Sequence, residues 1–129
     1  MLKYRINRAT YWLAYLVFMV AVSALAYIGK LNGGMEIMMV LIGVPRLHDI
    51  GRSGWLVGAA ILAEVVIVVA VAIVATVDTV EIVAGFIFLV IAALGIWLGT
   101  IPSQSIANRW GEPPGPGIRF GRRNASVSE

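Results

Sequence analysis

The sequence predicts an all-α membrane protein of four transmembrane helices, with a short kinked second helix and a flexible C-terminal tail. Two observations carry that prediction. Hydrophobic residues make up 60% of the 129 and charged residues 13%, against roughly 45–50% and about 25% in soluble domains. The apolar residues also come in blocks separated by short polar stretches, and a chain of this length has room for one helical bundle with no separate soluble domain.

The elements follow in order. Lys3, Arg5 and Arg8 precede the first apolar run, Asn7 or Thr10 supplies a helix cap, and Tyr11, Trp12 and Tyr15 have the character of an interfacial aromatic belt. The first span is expected over residues 11–29, too long for the ~7–15-residue core of a signal peptide and so retained. Residues 30–34, Lys-Leu-Asn-Gly-Gly, form a tight turn that makes the next helix an antiparallel neighbour. That second helix has about 10 apolar residues before Pro45, whereas about 20 are needed to cross hydrocarbon. If it continues through a kink, over residues 35–50, with Gly51 as its C-terminal cap and a neighbour satisfying the backbone carbonyl that Pro45 frees near Leu41, it becomes long enough to cross; a three-span arrangement with residues 35–44 re-entrant, which would put the tail outside, ranks below it.

Ser53 is then a candidate N-cap and Trp55 the interfacial anchor of a third span, residues 55–77. Asp78-Thr79-Val80-Glu81 has the spacing of a capping box, opening a fourth span over residues 82–101 that Pro102 stops. Within it, Gly95 and Gly99 are four apart, which permits close helix contact without identifying the partner. Residues 1–112 form the transmembrane domain; residues 113–129, rich in Pro, Gly and Arg, are expected to be a partly disordered basic tail.

With four spans both termini lie on one side. Lys3, Arg5, Arg8, Arg46, Arg52, Arg109, Arg119, Arg122 and Arg123 all fall there, leaving Lys30 opposite, so the positive-inside rule makes both termini cytoplasmic. The net charge of +3 is thereby explained by orientation and anionic lipid, and nucleic acid is not an expected partner. With no cysteine and a single histidine, neither a thiolate site nor a multi-histidine metal site is expected, and no cofactor.

The stretch Arg46-Leu47-His48-Asp49-Ile50-Gly51-Arg52-Ser53-Gly54-Trp55 is a polar island between apolar runs. Together with Arg5-Ile6-Asn7-Arg8, followed by Tyr11-Trp12, and with Asn108-Arg109-Trp110-Gly111-Glu112-Pro113, it resembles the small bacterial inner-membrane proteins of the YhaH/YhaI type, domain-of-unknown-function family eight-zero-five. The family pattern usually has glycine where this chain has Tyr4 and a second tryptophan where it has Leu56. The resemblance implies a multi-pass inner-membrane protein with no assigned reaction.

On a helix Arg46 and Asp49, three apart, can pair on one face. The structural reading is that these charges orient the helix end and complement its dipole. The functional reading is a pocket in which Arg46, Arg52 and Arg109, with His48, Asp49, Asn108 and Trp110 nearby, hold an anionic group such as a lipid phosphate. His48, Asp49 and Ser53 have the residue types of a hydrolytic triad, but they lie along one turn and do not converge from separate elements. No enzyme is expected. Trp12, Trp55 and Trp110 are expected membrane-interface anchors. Glu64, about nine residues into the third span, is an intramembrane ionisable group and hence a candidate for ion or proton passage. The expectation is a non-enzymatic accessory or scaffold protein that packs on partner membrane helices, as a homo- or hetero-oligomer, and binds anionic lipid; the alternative is a small oligomeric transporter or ion conduit using Glu64.

Overall fold

A computed structural model describes residues 4–29 and 34–118, and the regular elements among them are helices. In chain order they are α1 (Arg8–Tyr27), α2 (Gly34–Met38), a π-helical segment (Met39–Gly43), α3 (Val44–Asp49), α4 (Trp55–Val74) and α5 (Val77–Thr100). Lys3, Lys30, most of the 30–34 turn, and Arg119, Arg122 and Arg123 fall outside the described residues. Among these elements 3 helices, α1, α4 and α5, are long and apolar enough to cross a membrane. At about 1.5 Å per residue, a 20-residue helix such as α4 matches the ~30 Å hydrocarbon core.

Asn7 starts α1: its side-chain oxygen accepts the Thr10 amide at 2.8 Å, satisfying one of the donors that a helix start leaves free. The aromatic residues expected in a headgroup belt instead join α1 to α5. The Tyr11 hydroxyl donates to the Gly95 carbonyl at 2.7 Å, the Trp12 indole N–H to Gly99 at 3.1 Å, and the Tyr15 hydroxyl to Ala92 at 2.8 Å. The three donors sit on adjoining turns of α1 and read successive turns of α5. Trp12 is thus a bridge between helices, since a half-buried indole N–H needs an acceptor and α5 offers one.

The second helical stretch is continuous but short, in pieces of 5, 5 and 6 residues. Its irregularity has the expected cause. Pro45 carries no N–H, and the chain answers with a π segment in which the Val44 amide reaches back to the Met39 carbonyl. The Leu41 carbonyl, left without a normal α partner, accepts the Tyr4 hydroxyl at 3.3 Å. The C-terminus of α3 closes in a Schellman motif: Arg52 N–H to the Leu47 carbonyl at 2.7 Å and Gly51 N–H to His48 at 3.2 Å. Gly51 has φ +77, and a Cβ there would also lie 2.5 Å from the Gln104 side chain. Only glycine serves at that position.

Two boundaries differ from the sequence reading. The third span ends at Val74, and α5 starts at Val77 behind an extended Ala75 and Thr76. Asp78 and Glu81 therefore lie inside α5; no capping box opens a later helix. Thr76 holds the N-cap position, with its hydroxyl 3.0 Å from that of Thr79, and Asp78 in the first turn complements the helix dipole. At α4 the N-cap residue is Gly54, with Ser53 one residue further out making only a 3.4 Å contact to the Trp55 amide.

Candidate functional site

The N-terminus of α1, the C-terminus of α3, the N-terminus of α4 and the C-terminus of α5 meet at one end of the bundle, where a buried polar knot joins them. Its centre is Asp49. Oδ1 accepts from Arg5 Nε at 3.2 Å and Nη2 at 3.1 Å, while Oδ2 accepts from Arg46 Nη1. Arg5 is 7% exposed; Arg46, His48 and Asp49 are 0%.

One carboxylate between two guanidinium groups leaves a net positive charge out of water, and backbone carbonyls supply the balance. Arg5 donates to the carbonyls of Gln104 at 2.6 Å, Ile106 at 2.9 Å and Gly111 at 3.0 Å. Arg46 donates to Leu98 and Ile101, carbonyls at the end of α5, and to the Ser103 hydroxyl at 3.0 Å. The rigid five-donor fork of arginine is what allows one side chain to satisfy so many acceptors. Arg46 in effect caps α5, where a cation and the unpaired carbonyls of a helix end attract one another. Its guanidinium also lies 5.7 Å from the centre of the Tyr11 ring.

The segment after α5 is held down by the same knot. The Gln104 amide donates to the Asp49 carbonyl at 3.1 Å, and Asn108 and Gly111 bond each other's backbones at 3.1 and 2.9 Å. The Asn108 side chain reaches the His48 carbonyl at 2.8 Å. Asn7 Nδ2 donates to the Gly115 and Gly117 carbonyls at 2.7 and 2.6 Å. The expected flexible tail is therefore, through residue 117, folded back onto the helix ends, because both Arg5 and Asn7 have donors left over that its carbonyls satisfy.

His48 sits face to face with Trp110, ring centres 4.5 Å apart, and the Arg109 guanidinium lies over the same indole at 3.9 Å. Trp110 is thus a lid on His48 rather than a free anchor. His48 Nδ1 lies 3.3 Å from the Tyr4 carbonyl, so the proton belongs on Nδ1; Nε2 is buried and without a partner among the described residues.

The sequence-predicted residues divide. Arg46, His48, Asp49 and Asn108 come together; Arg52 and Arg109 are exposed. Arg46 faces inward with its donors occupied by the protein, so it is not placed to hold an external anion. Trp55 is 75% exposed at the start of α4. Glu64, on α4, is far from the knot. Among the described residues its Oε2 is buried without a hydrogen bond, as is that of Glu36 on α2. Arg5, Ser103 and Gln104 were not foreseen as site residues. Arg5 offered one signal, its place in the segment Arg5-Ile6-Asn7-Arg8 ahead of the first helix, while Ser103 and Gln104 offered none.

No protein-family model, no curated protein and no solved structure matches this chain.

Proposed function

We propose that this membrane protein is a non-enzymatic accessory or scaffold subunit of the bacterial inner membrane, with both ends of the chain cytoplasmic and four crossings. It packs its apolar outer face against helices of another membrane protein or a second copy of itself, and it meets anionic lipid at the cytoplasmic surface. The observation that carries this is α4: only 6% of its 20-residue apolar window is buried inside the chain. Among the described residues of α4 only Val57 is buried, so the outward side of the helix is left to lipid or to other helices. The knot supports the same reading from the opposite direction, since its ionised groups are consumed by one another and by carbonyls. The three polar segments that resemble the small inner-membrane family are the segments the knot joins, and they support placing the chain beside that family.

The test is photocrosslinking in native membranes from Val66 and Ile73, which are 58% and 77% exposed on α4. One discrete protein adduct is expected from at least one position. Lipid adducts alone from both would contradict the accessory role.

A second reading has one specific observation in its favour. Among the described residues Glu36 and Glu64 each keep a buried oxygen without a hydrogen-bond partner, the arrangement a conduit for protons or small cations would use. Flux into proteoliposomes that is lost in Glu64→Gln would support it; equal and negligible flux from both proteins would remove it.

A further inference from the structure

We propose that the groove between α4 and α5 at the knot end of the bundle seats one acyl chain of an anionic phospholipid, whose headgroup rests on the exposed arginines there. The inference rests on the anionic-lipid part of the function proposed above and names where the lipid sits.

The groove has a local cause. α4 and α5 are joined by the short turn at Ala75 and Thr76, and the π segment packs against both helices as well as α1. Between them lies a cavity of about 180 Å³, lined by residues that include Met38, Ile42, Val57, Ala60, Leu94 and Trp97. Leu94 and Trp97 are 49% and 60% exposed, so the groove opens outward, to the lipid side. Its floor includes Tyr11, whose hydroxyl is already committed to the Gly95 carbonyl. Water finds no set of polar partners in such a lining, and apolar cavities of this size stay dry or take up apolar molecules. In a bilayer the flexible, narrow occupant at hand is an acyl chain.

Charge selects the headgroup. Among the described residues Arg8, Arg52 and Arg109 are exposed at the end towards which the groove runs, against one exposed acid, Glu112, whereas the α4–α5 turn exposes Asp78 and Glu81. Arg52 stands at the head of the same helix that supplies Val57 and Ala60. Gly54 begins that helix without a side-chain cap, so its positive dipole end faces the same region. Trp55, exposed beside it, marks headgroup depth.

The test is native mass spectrometry of the full chain in mild detergent with phosphatidylglycerol or phosphatidylcholine of identical chains. The natural protein is expected to retain phosphatidylglycerol several-fold better. Ala60→Phe, which fills the groove, is expected to reduce retention of both lipids several-fold. Arg52→Gln is expected to reduce only the preference for phosphatidylglycerol. Leu94→Phe serves as a second filling variant should Ala60→Phe fail to fold, and Gly85→Phe, at a position with nothing within 4 Å, is the control expected to change nothing. Natural retention of phosphatidylglycerol by folded Ala60→Phe and Leu94→Phe overturns the acyl-chain seat while leaving the lipid reading standing. Equal retention of the two lipids by the natural protein overturns the lipid reading itself.

Discussion

Asp49→Asn is expected to destabilise the protein by about 3–5 kcal/mol, the usual effect of removing one partner from a buried charge network. The side chains of Arg5, Arg46 and Asp49 are 0–1% exposed, so neither guanidinium can turn to water when the carboxylate is lost. Asparagine keeps the shape, but it replaces one acceptor oxygen with an NH2 group that faces an arginine donor. Two cations then remain buried with carbonyl dipoles alone to offset them. Thermal unfolding followed by circular dichroism in mild detergent measures this. Arg52→Gln, which alters an exposed arginine three residues away, is expected to stay within about 0.5 kcal/mol of the natural protein. Near-natural stability of Asp49→Asn would mean that the knot is not what holds this end of the bundle.

The second large effect is expected at the seam between α1 and α5. A Cβ added to Gly99 would lie 2.7 Å from two ring atoms of Trp12 and 3.0 Å from Tyr11. Trp12 cannot swing away freely, because its indole is hydrogen-bonded to the Gly99 carbonyl. Overpacking of this kind destabilises by about 1–3 kcal/mol, so Gly99→Ala should lower the thermal midpoint. Gly85 lies on the same helix with nothing within 4 Å of its would-be Cβ. Gly85→Ala should therefore be neutral or stabilising by about 0.5–1 kcal/mol, the ordinary helical preference for alanine. If the two variants behave alike, close approach at Gly99 is not what sets the seam.

The same seam shows what could be read in advance. The Gly-x-x-x-Gly spacing announced close contact, and the structure identifies the partner as the aromatic stripe of α1. The role of the stripe as a bridge was not legible, because the carbonyls of α5 that accept its hydrogen bonds are remote in sequence. The break at Pro45 was legible in detail, down to a carbonyl near Leu41 needing an outside donor, because proline's missing N–H is a local fact. The α4–α5 turn was misplaced because Asp78 and Glu81 imitate a cap, whereas Thr76, the residue at the cap, lies in an apolar run that looked like span.

For the site, the pairing of Arg46 with Asp49 follows from helical spacing alone. The role of Arg5 does not, since its partners lie 44 and 99 to 106 positions away. The polar segments at residues 5–8, 46–55 and 108–113 stood out separately, and their contacts explain them together: each supplies what the others leave unsatisfied. That contact set also turns the expected free tail into a strap across the helix ends.

The central claim is that Arg5, through Asp49 and three carbonyls, fastens the segment after α5 to the bundle. Hydrogen–deuterium exchange tests it directly at the amides of Gln104, Asn108 and Gly111, each bonded within the strap or to Asp49. These amides should exchange slowly in the natural protein. In Arg5→Gln they should exchange much faster while the amides of α1, α4 and α5 remain slow. Unchanged protection in Arg5→Gln, or fast exchange in the natural protein, would contradict the claim.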